Sequence, residues 1–543
     1  MIARAVTVGA VLAGTAIRME QYMTRRALWF DESSVGLNIV HRSYAGLLHP
    51  LDYNQGAPIL WLWTERTLAL VLGENEYSLR LVALLCGIAT IVVAALLGRR
   101  LFGRWGAVLC AVMAAFAPAA VRYSSEVKQY SSDLLLSTLL LLVAPVGAAR
   151  SARPWVVWAA VGAFAVWFSH PAVFVLVATA AVIGLAALRD GDRSTLVALI
   201  EASAAWLTSW LVVYLVALRH LSNNAFLRSY WAYVLGPRPL TVGSTLHWLG
   251  IALSGMVADP GHLVPQSFIV NPRQVLPALA VAGVGVAMLA GLAVMGWDAR
   301  RRLWAGIVVA TIAMTLVAAL ADLYPPRARL ALFLLPLFWI TLTALVLLPA
   351  TRQRIDQRGA LAVAVVAAVA ALAGPLAGTW SLARHPYDTA DIRAAMQYVH
   401  AHREPGDEVW VQFPEEMDAE FYAPITATTP DHQIDDGLRE GCSPSYQEPV
   451  AAAHGDRVWA LFGARFSNAV PDERARLVTA LASEARLVSR KDVGGAEADL
   501  FDFSSRPPGP AAVDGLSCLL VAPFVSTGGS GLHTGPFHTG RTA

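Results

Sequence analysis

The feature that most restricts this chain is a succession of apolar stretches, each close to the length of a membrane-crossing helix. A hydrocarbon core about 30 Å thick needs roughly 20 apolar residues at about 1.5 Å rise each. About eleven stretches qualify, near residues 3–17, 80–98, 105–121, 134–149, 155–169, 171–188, 196–218, 275–296, 303–322, 329–349 and 360–379. Only 15% of the 543 residues are charged, against about 25% in soluble domains, and mean hydropathy is +0.51. The expectation is a polytopic α-helical membrane protein. A net charge of +2 gives no electrostatic footprint for nucleic acid. The first stretch is read as a span and not as a cleaved signal, because "AGTAIRMEQY" lacks a small-residue cleavage site and more spans follow.

Loop charge sets the expected orientation. Alternate short connections carry Arg99, Arg100 and Arg104, then Arg150 and Arg153, Arg189 and Arg193, Arg300 to Arg302, and Arg352, Arg354 and Arg358. Short arginine-rich loops face the cytoplasm, so the N-terminus is expected inside. The opposite face then holds a long loop over 18–79, the short "RYSSEVKQYSSD" loop, a second long loop over 219–274, and everything after about 380.

Beyond 380 the pattern changes. "DTADIRAAMQYVHAHREPGDEVWVQF" reads as an amphipathic helix, a Pro-Gly turn and a strand. "DRVWALFGA", "DERARLVTALASEARLV" and "EADLFDF" continue as strand, helix and strand. The expected division is a membrane domain over 1–380, a small extracytoplasmic α/β domain over 381–503, and a Gly-, Pro-, Ser-rich disordered tail over 504–543. Of four cysteines, Cys86 and Cys110 read as small core residues, and Cys442 and Cys518 as a pair that an extracytoplasmic setting would allow to oxidise.

Ionisable groups at a membrane edge are functional candidates, and three clusters share the outer face. The first is Asp31–Glu32 in "LWFDESSVGLNIV". Acids at a helix start need only the macrodipole and capping; the functional alternative is a general base. The same loop continues through "HPLDYNQGAPILWLWTERTLAL", read as a chain break and an interfacial helix with Trp61 and Trp63 at headgroup depth. The second cluster is "YSSEVKQYSSD". Its Lys128 is one of two lysines in the chain, the other being Lys491. Glu126 lies two residues away and faces elsewhere on a helix, so Lys128 is free to hold a phosphate or to snorkel. Asp133 stays unassigned beyond capping the next helix. The third cluster is Arg327 and Arg329 in "DLYPPRARLALFLLP", which anchors an interface or binds an anion. His170, before Pro171, reads first as a packed residue, and the aromatic run "RSYWAYVLG" serves equally as a lipid or a sugar face.

In this order, the acidic pair, "PLDYNQGAP", "YSSEVKQYSSD" and Tyr-Pro followed by Arg-x-Arg-Leu and "FLLP" resemble the GT-C superfamily. The chain is similar to bacterial membrane glycosyltransferases related to protein O-mannosyltransferases and the lipid A aminoarabinose transferase. The resemblance covers nearly the whole chain to about residue 503. It implies a GT-C-like fold and transfer of a sugar from a polyprenyl-phosphate-linked donor to an extracytoplasmic acceptor of unstated class (glycan, lipid or protein). It puts the catalytic acid on Asp31, with Glu32 beside it. The donor phosphate falls to Lys128 and Arg329, with Arg327 as the alternative because Pro326 and Arg327 stand where relatives carry small residues. Glu126, Tyr130, Tyr324 and His170 are the supporting positions. No cofactor is required by the pattern; the acidic pair is compatible with a divalent cation without specifying one. A transporter or flippase of lipid-linked saccharides is the competing class, but no internal repeat and no mid-membrane charge cluster stands in the sequence. A non-catalytic receptor whose C-terminal domain binds a cell-wall glycan is the third.

Overall fold

The computed structural model describes residues 1–147, 151–222, 224–263, 275–347, 357–387, 389–412, 415–435, 456–463, 473–504 and 520–523. Cys442 and Cys518, and so their pairing, lie outside the described residues. The chain divides into two compact units that do not follow the expected contiguous split. The first contains Met1–Thr24 and Arg42–Tyr387; the second contains Arg25–His41 and Asp388–Ala543.

The first unit is helical. Among the described residues, seven helices are long and apolar enough to cross a membrane: Ile2–Met23, Glu76–Ala115, Ala172–Asp190, Arg193–Leu218, Arg302–Leu320, Ala328–Leu347 and Ala364–Arg384. Four shorter apolar helices accompany them, Tyr130–Val143, Ala152–Phe168, Val242–Ala258 and Val281–Gly296. This is a multi-pass membrane protein. Glu76–Ala115, at 40 residues, contains the stretch expected at 80–98 and the first part of that expected at 105–121, and it is broken at Gly103, whose φ of 73° and ψ of −158° leave the helical region. Only glycine adopts such a backbone cheaply. On either side of the break the two arms pack closely, since a Cβ on Gly98 would overlap the Gly106 carbonyl.

Two expectations for the outer loops need correction. Trp61, expected at headgroup depth, is 0% exposed inside the protein, because helix Ile59–Leu72 packs on Glu76–Ala115 and Ala152–Phe168. Loop 219–274 contains the apolar helix Val242–Ala258, closed at its start by a Thr241–Ser244 capping box. Polar Ser244, Thr245 and His247 dilute its hydropathy and hid it from a 20-residue window.

The second unit is an α/β domain around one six-stranded sheet. Its strands are β1 Glu408–Gln412, β2 His432–Asp435, β3 Arg457–Phe462, β4 Arg486–Val493, β5 Ala496–Asp502 and β6 Leu520–Pro523. They lie in the order β4-β5-β3-β1-β2-β6, parallel across β2-β1-β3 and antiparallel at both flanks. Helices Ile392–His402, Glu416–Thr426 and Glu473–Glu484 complete the alternation. Trp410, Ile434, Val458, Phe462, Leu481 and Phe501 form the core. The hairpin between β4 and β5 turns at Gly494 and Gly495, with φ of 60° and 82°, as a tight two-residue hairpin turn requires. Leu520–Pro523 falls within the stretch read from composition as a disordered tail; its short apolar run is long enough to pair with β2 along four residues.

Candidate active site

Each unit gathers part of the expected site. In the first, Pro118–Arg122 and the turn Tyr123–Ser125 follow the long helix, and Tyr130–Val143 then begins. The intervening loop folds tightly, with Lys128 N donating to Glu126 O at 2.7 Å. This turn aims the two side chains apart. Lys128, 5% exposed, donates from Nζ to Gln55 Oε1 at 2.7 Å. Glu126, 0% exposed, instead has Arg122 Nε at 3.9 Å. The "PLDYNQGAP" stretch thus helps to orient the lysine.

The cations cluster around this loop. Arg329 lies 5.7 Å over the Tyr130 ring, which meets Tyr123 edge-on at 5.4 Å. Arg122 lies 3.8 Å over Tyr387. Arg327 is exposed and lies 5.5 Å over Tyr233, in the aromatic run after residue 228. Of the two arginines, Arg329 is therefore the one that shares an aromatic partner with the lysine loop. Tyr324 hydroxyl donates to Leu330 O at 2.7 Å and pins the Pro-Pro turn that presents both arginines. Asp133 is buried in the first turn of Tyr130–Val143. His170 lies in the turn between Ala152–Phe168 and Ala172–Asp190, beside Ser169, whose side chain faces Asp133.

The sequence reasoning missed an anion among these cations. Asp259, at the end of Val242–Ala258, is within electrostatic reach of His262, Arg122, Arg327 and Arg329. Burial pushes its carboxyl above the ordinary range, against the pull of those four groups. The signal available was an acid before a proline, "ADPGH", in a loop otherwise free of aspartate.

The second unit holds the acidic pair. Asp31 and Glu32 occupy the first turn of helix Phe30–His41 and are 6% and 0% exposed. A helix start explains acids there, but it does not require their burial. Arg26 Nη2 lies 3.8 Å from Glu32 Oε2. Helix Glu416–Thr426 packs along the same helix and brings Glu415, Glu416 and Asp418 towards Glu32. Burial, reinforced by Glu415, Glu32 and Glu416, holds the Asp418 carboxyl well above the ordinary range, although the Ser33 side chain opposes the effect. Among the described residues, no group of three or more His, Cys, Asp or Glu side chains is arranged to hold a metal ion.

Residues 56–218, which include Glu126, Lys128 and Tyr130, match the family model of dolichyl-phosphate-mannose-protein mannosyltransferases. That segment is under a third of the chain, and over it the chain is similar to this family. A search of curated protein sequences gave no match. Similar solved structures include an oligosaccharyltransferase from Archaeoglobus fulgidus in complex with Zn and sulfate, at 12% identity and TM-score 0.49, covering 80% of this chain and 68% of that one. AglB from the same organism, in complex with an inhibitory peptide and a dolichol-phosphate, matches at 11% identity and TM-score 0.46, over 81% and 70%. ArnT from Cupriavidus metallidurans, bound to undecaprenyl phosphate, matches at 16% identity and TM-score 0.41, over 93% of this chain and 99% of that one. At these scores the likenesses carry no inference about chemistry. The likeness to the mannosyltransferase family rests on the matched segment alone.

Proposed function

We propose that this chain is a glycosyltransferase that moves a sugar from a polyprenyl-phosphate-linked donor to an acceptor hydroxyl on the extracytoplasmic face. Lys128 carries this reading. A buried ammonium, held by Gln55, stands in a loop whose Tyr130 lies under Arg329 and whose Glu126 faces Arg122, and it lies inside the segment that matches a dolichyl-phosphate-mannose transferase family. Buried cations beside aromatic rings suit a phosphate attached to a lipid and sugar.

In the proposed reaction, Asp31 accepts the acceptor hydroxyl proton as the acceptor oxygen forms its bond to the anomeric carbon. The bond from that carbon to the phosphate oxygen breaks, and its electron pair leaves with the polyprenyl phosphate. Lys128 and Arg329 balance the charge that develops there; Arg327 is the alternative to Arg329. Glu32 supports Asp31 and is itself neutralised by Arg26. Attack opposite the leaving phosphate inverts the anomeric centre. In this reading the N-terminus is cytoplasmic and the second unit lies outside, as the loop arginines indicate. The test is transfer in membranes supplied with a panel of polyprenyl-phosphate sugars, comparing wild type with Asp31→Asn. Loss of transfer with donor binding retained is expected; full activity in the variant removes Asp31 as the base.

A further inference from the structure

The segment that carries Asp31 and Glu32 is held by residues from the far end of the chain. Leu28 N–H donates to Tyr422 Oη at 2.8 Å, across a separation of 394 residues. Thr389 Oγ1 donates to Ala27 O at 3.1 Å, and Arg393 Nη2 donates to Arg25 O at 3.3 Å. The Arg393 guanidinium is itself fixed by Asp391 at 2.9 Å and lies 5.7 Å over the Tyr422 ring. Backbone atoms of Arg25, Ala27 and Leu28, just ahead of the acids, are therefore taken by the C-terminal domain. One turn further on, Asp418, 3% exposed, faces Ser33 and Glu32 from helix Glu416–Thr426.

A general base works only when its position is fixed; a displacement of about 1 Å costs on the order of a hundredfold in rate. We infer that Tyr422 and Asp418 are positioning residues for the Asp31–Glu32 pair, so that the C-terminal domain is a working part of the transferase. This rests on the reading of Asp31 as base. Tyr422, 0% exposed, fixes the approach of the chain to the helix. Asp418 lies buried on the helix that packs along Phe30–His41, among other acids. The groups facing it are Glu32, Glu415 and Glu416, with Arg26 neutralising Glu32 from the other side. Ionising Asp418 adds another negative charge to this set and pushes the first turn away.

The experiment uses the full chain in lipid nanodiscs, with Tyr422→Phe, Asp418→Asn and, in parallel, Asp31→Asn. Tyr422→Phe keeps the ring and removes the acceptor for Leu28. It is expected to lower kcat about tenfold while leaving the KM for lipid-linked donor within about twofold. Asp418→Asn imitates the neutral acid. It is expected to remove the fall in kcat with rising pH that ionisation of Asp418 would cause in wild type. A purely structural role would move neither the kcat-to-KM split nor the pH profile, only the thermal midpoint. Wild-type kcat in Tyr422→Phe together with a wild-type pH profile in Asp418→Asn overturns the inference. Should Tyr422→Phe fail to fold, the pH profile of Asp418→Asn, which keeps the buried volume, decides alone. Asp31→Asn separates the two readings. If it is inactive while both other variants behave as wild type, only the positioning roles fall. If it is active, the base assignment falls and the positioning roles with it.

Discussion

Replacing Lys128 by methionine isolates the charge on which the donor-phosphate assignment depends. Methionine keeps an unbranched apolar stem of similar length, so the packing around this 5% exposed side chain survives. Gln55, the partner at 2.7 Å, is only partly buried and can hydrate its freed amide oxygen. Folding stability should therefore change little. A charge-assisted hydrogen bond to phosphate is worth roughly 1.5–3 kcal/mol, and each 1.4 kcal/mol is about tenfold in affinity. Donor affinity should fall about 10- to 100-fold. Lys128→Arg restores the charge on a longer planar group that cannot occupy the same contact with Gln55, and should recover only part of the loss. Equilibrium binding of undecaprenyl phosphate, followed by native mass spectrometry on detergent-solubilised protein, measures this directly, with the thermal midpoint recorded alongside. If Lys128→Met and Arg329→Met both bind undecaprenyl phosphate as wild type does, the cluster does not recognise a lipid phosphate.

Three further outcomes are expected. Asp259→Asn removes the anion that competes with the donor for Arg122, Arg327 and Arg329; donor affinity should rise several-fold, and an equal or lower affinity would assign Asp259 another role. Asp418 binds its proton more tightly folded than unfolded, so its contribution to stability is complete below the ordinary aspartate range and is lost as pH rises through the folded value. The alkaline loss of thermal stability, read by tryptophan fluorescence, should flatten in Asp418→Asn; an unchanged slope counts against a neutral Asp418. Arg18→Leu orphans the carbonyls of Ala114 and Ala115, which now accept from its guanidinium at 2.9 and 3.0 Å at the end of the long helix. At about 1–3 kcal/mol for each buried unsatisfied group, the midpoint should drop by several degrees; no change would mean that water reaches those carbonyls.

The spans were legible because a bilayer imposes one length and one polarity on each of them. Their punctuation was less so: the break at Gly103 and the helix Val242–Ala258 depend on a backbone angle and on packing that no hydropathy window contains. The lysine loop illustrates this. Two-residue spacing gave no hint of Gln55, which accepts from Lys128 and lies 73 residues away. Arg329 lies over Tyr130, and Arg122 beside Glu126 carried no signal of its own in the sequence. Strands β1 and β3 carry apolar runs and β5 alternates acids with apolar residues; all three were expected as strands. Strand β4, largely exposed along "RLVSRKDV", owes its conformation to the ladder with β5 and carries no burial signal of its own.

Helix Phe30–His41 shows why the acidic pair could not be interpreted from its own neighbourhood. Twelve residues are marginal as an isolated helix, and here ten of them, Asp31 to Val40, are buried. A helix buried on every face takes its position from what surrounds it and not from an amphipathic stripe. What surrounds it within its unit is Glu416–Thr426 and the anchors Thr389, Arg393 and Tyr422, all beyond residue 388. The pair adjoins the first span in sequence yet belongs structurally to the last domain. A membrane enzyme arranged this way can place its acid only after the C-terminal sheet has formed, so a chain with an intact cation cluster and an unfolded C-terminal domain should bind donor and fail to transfer it.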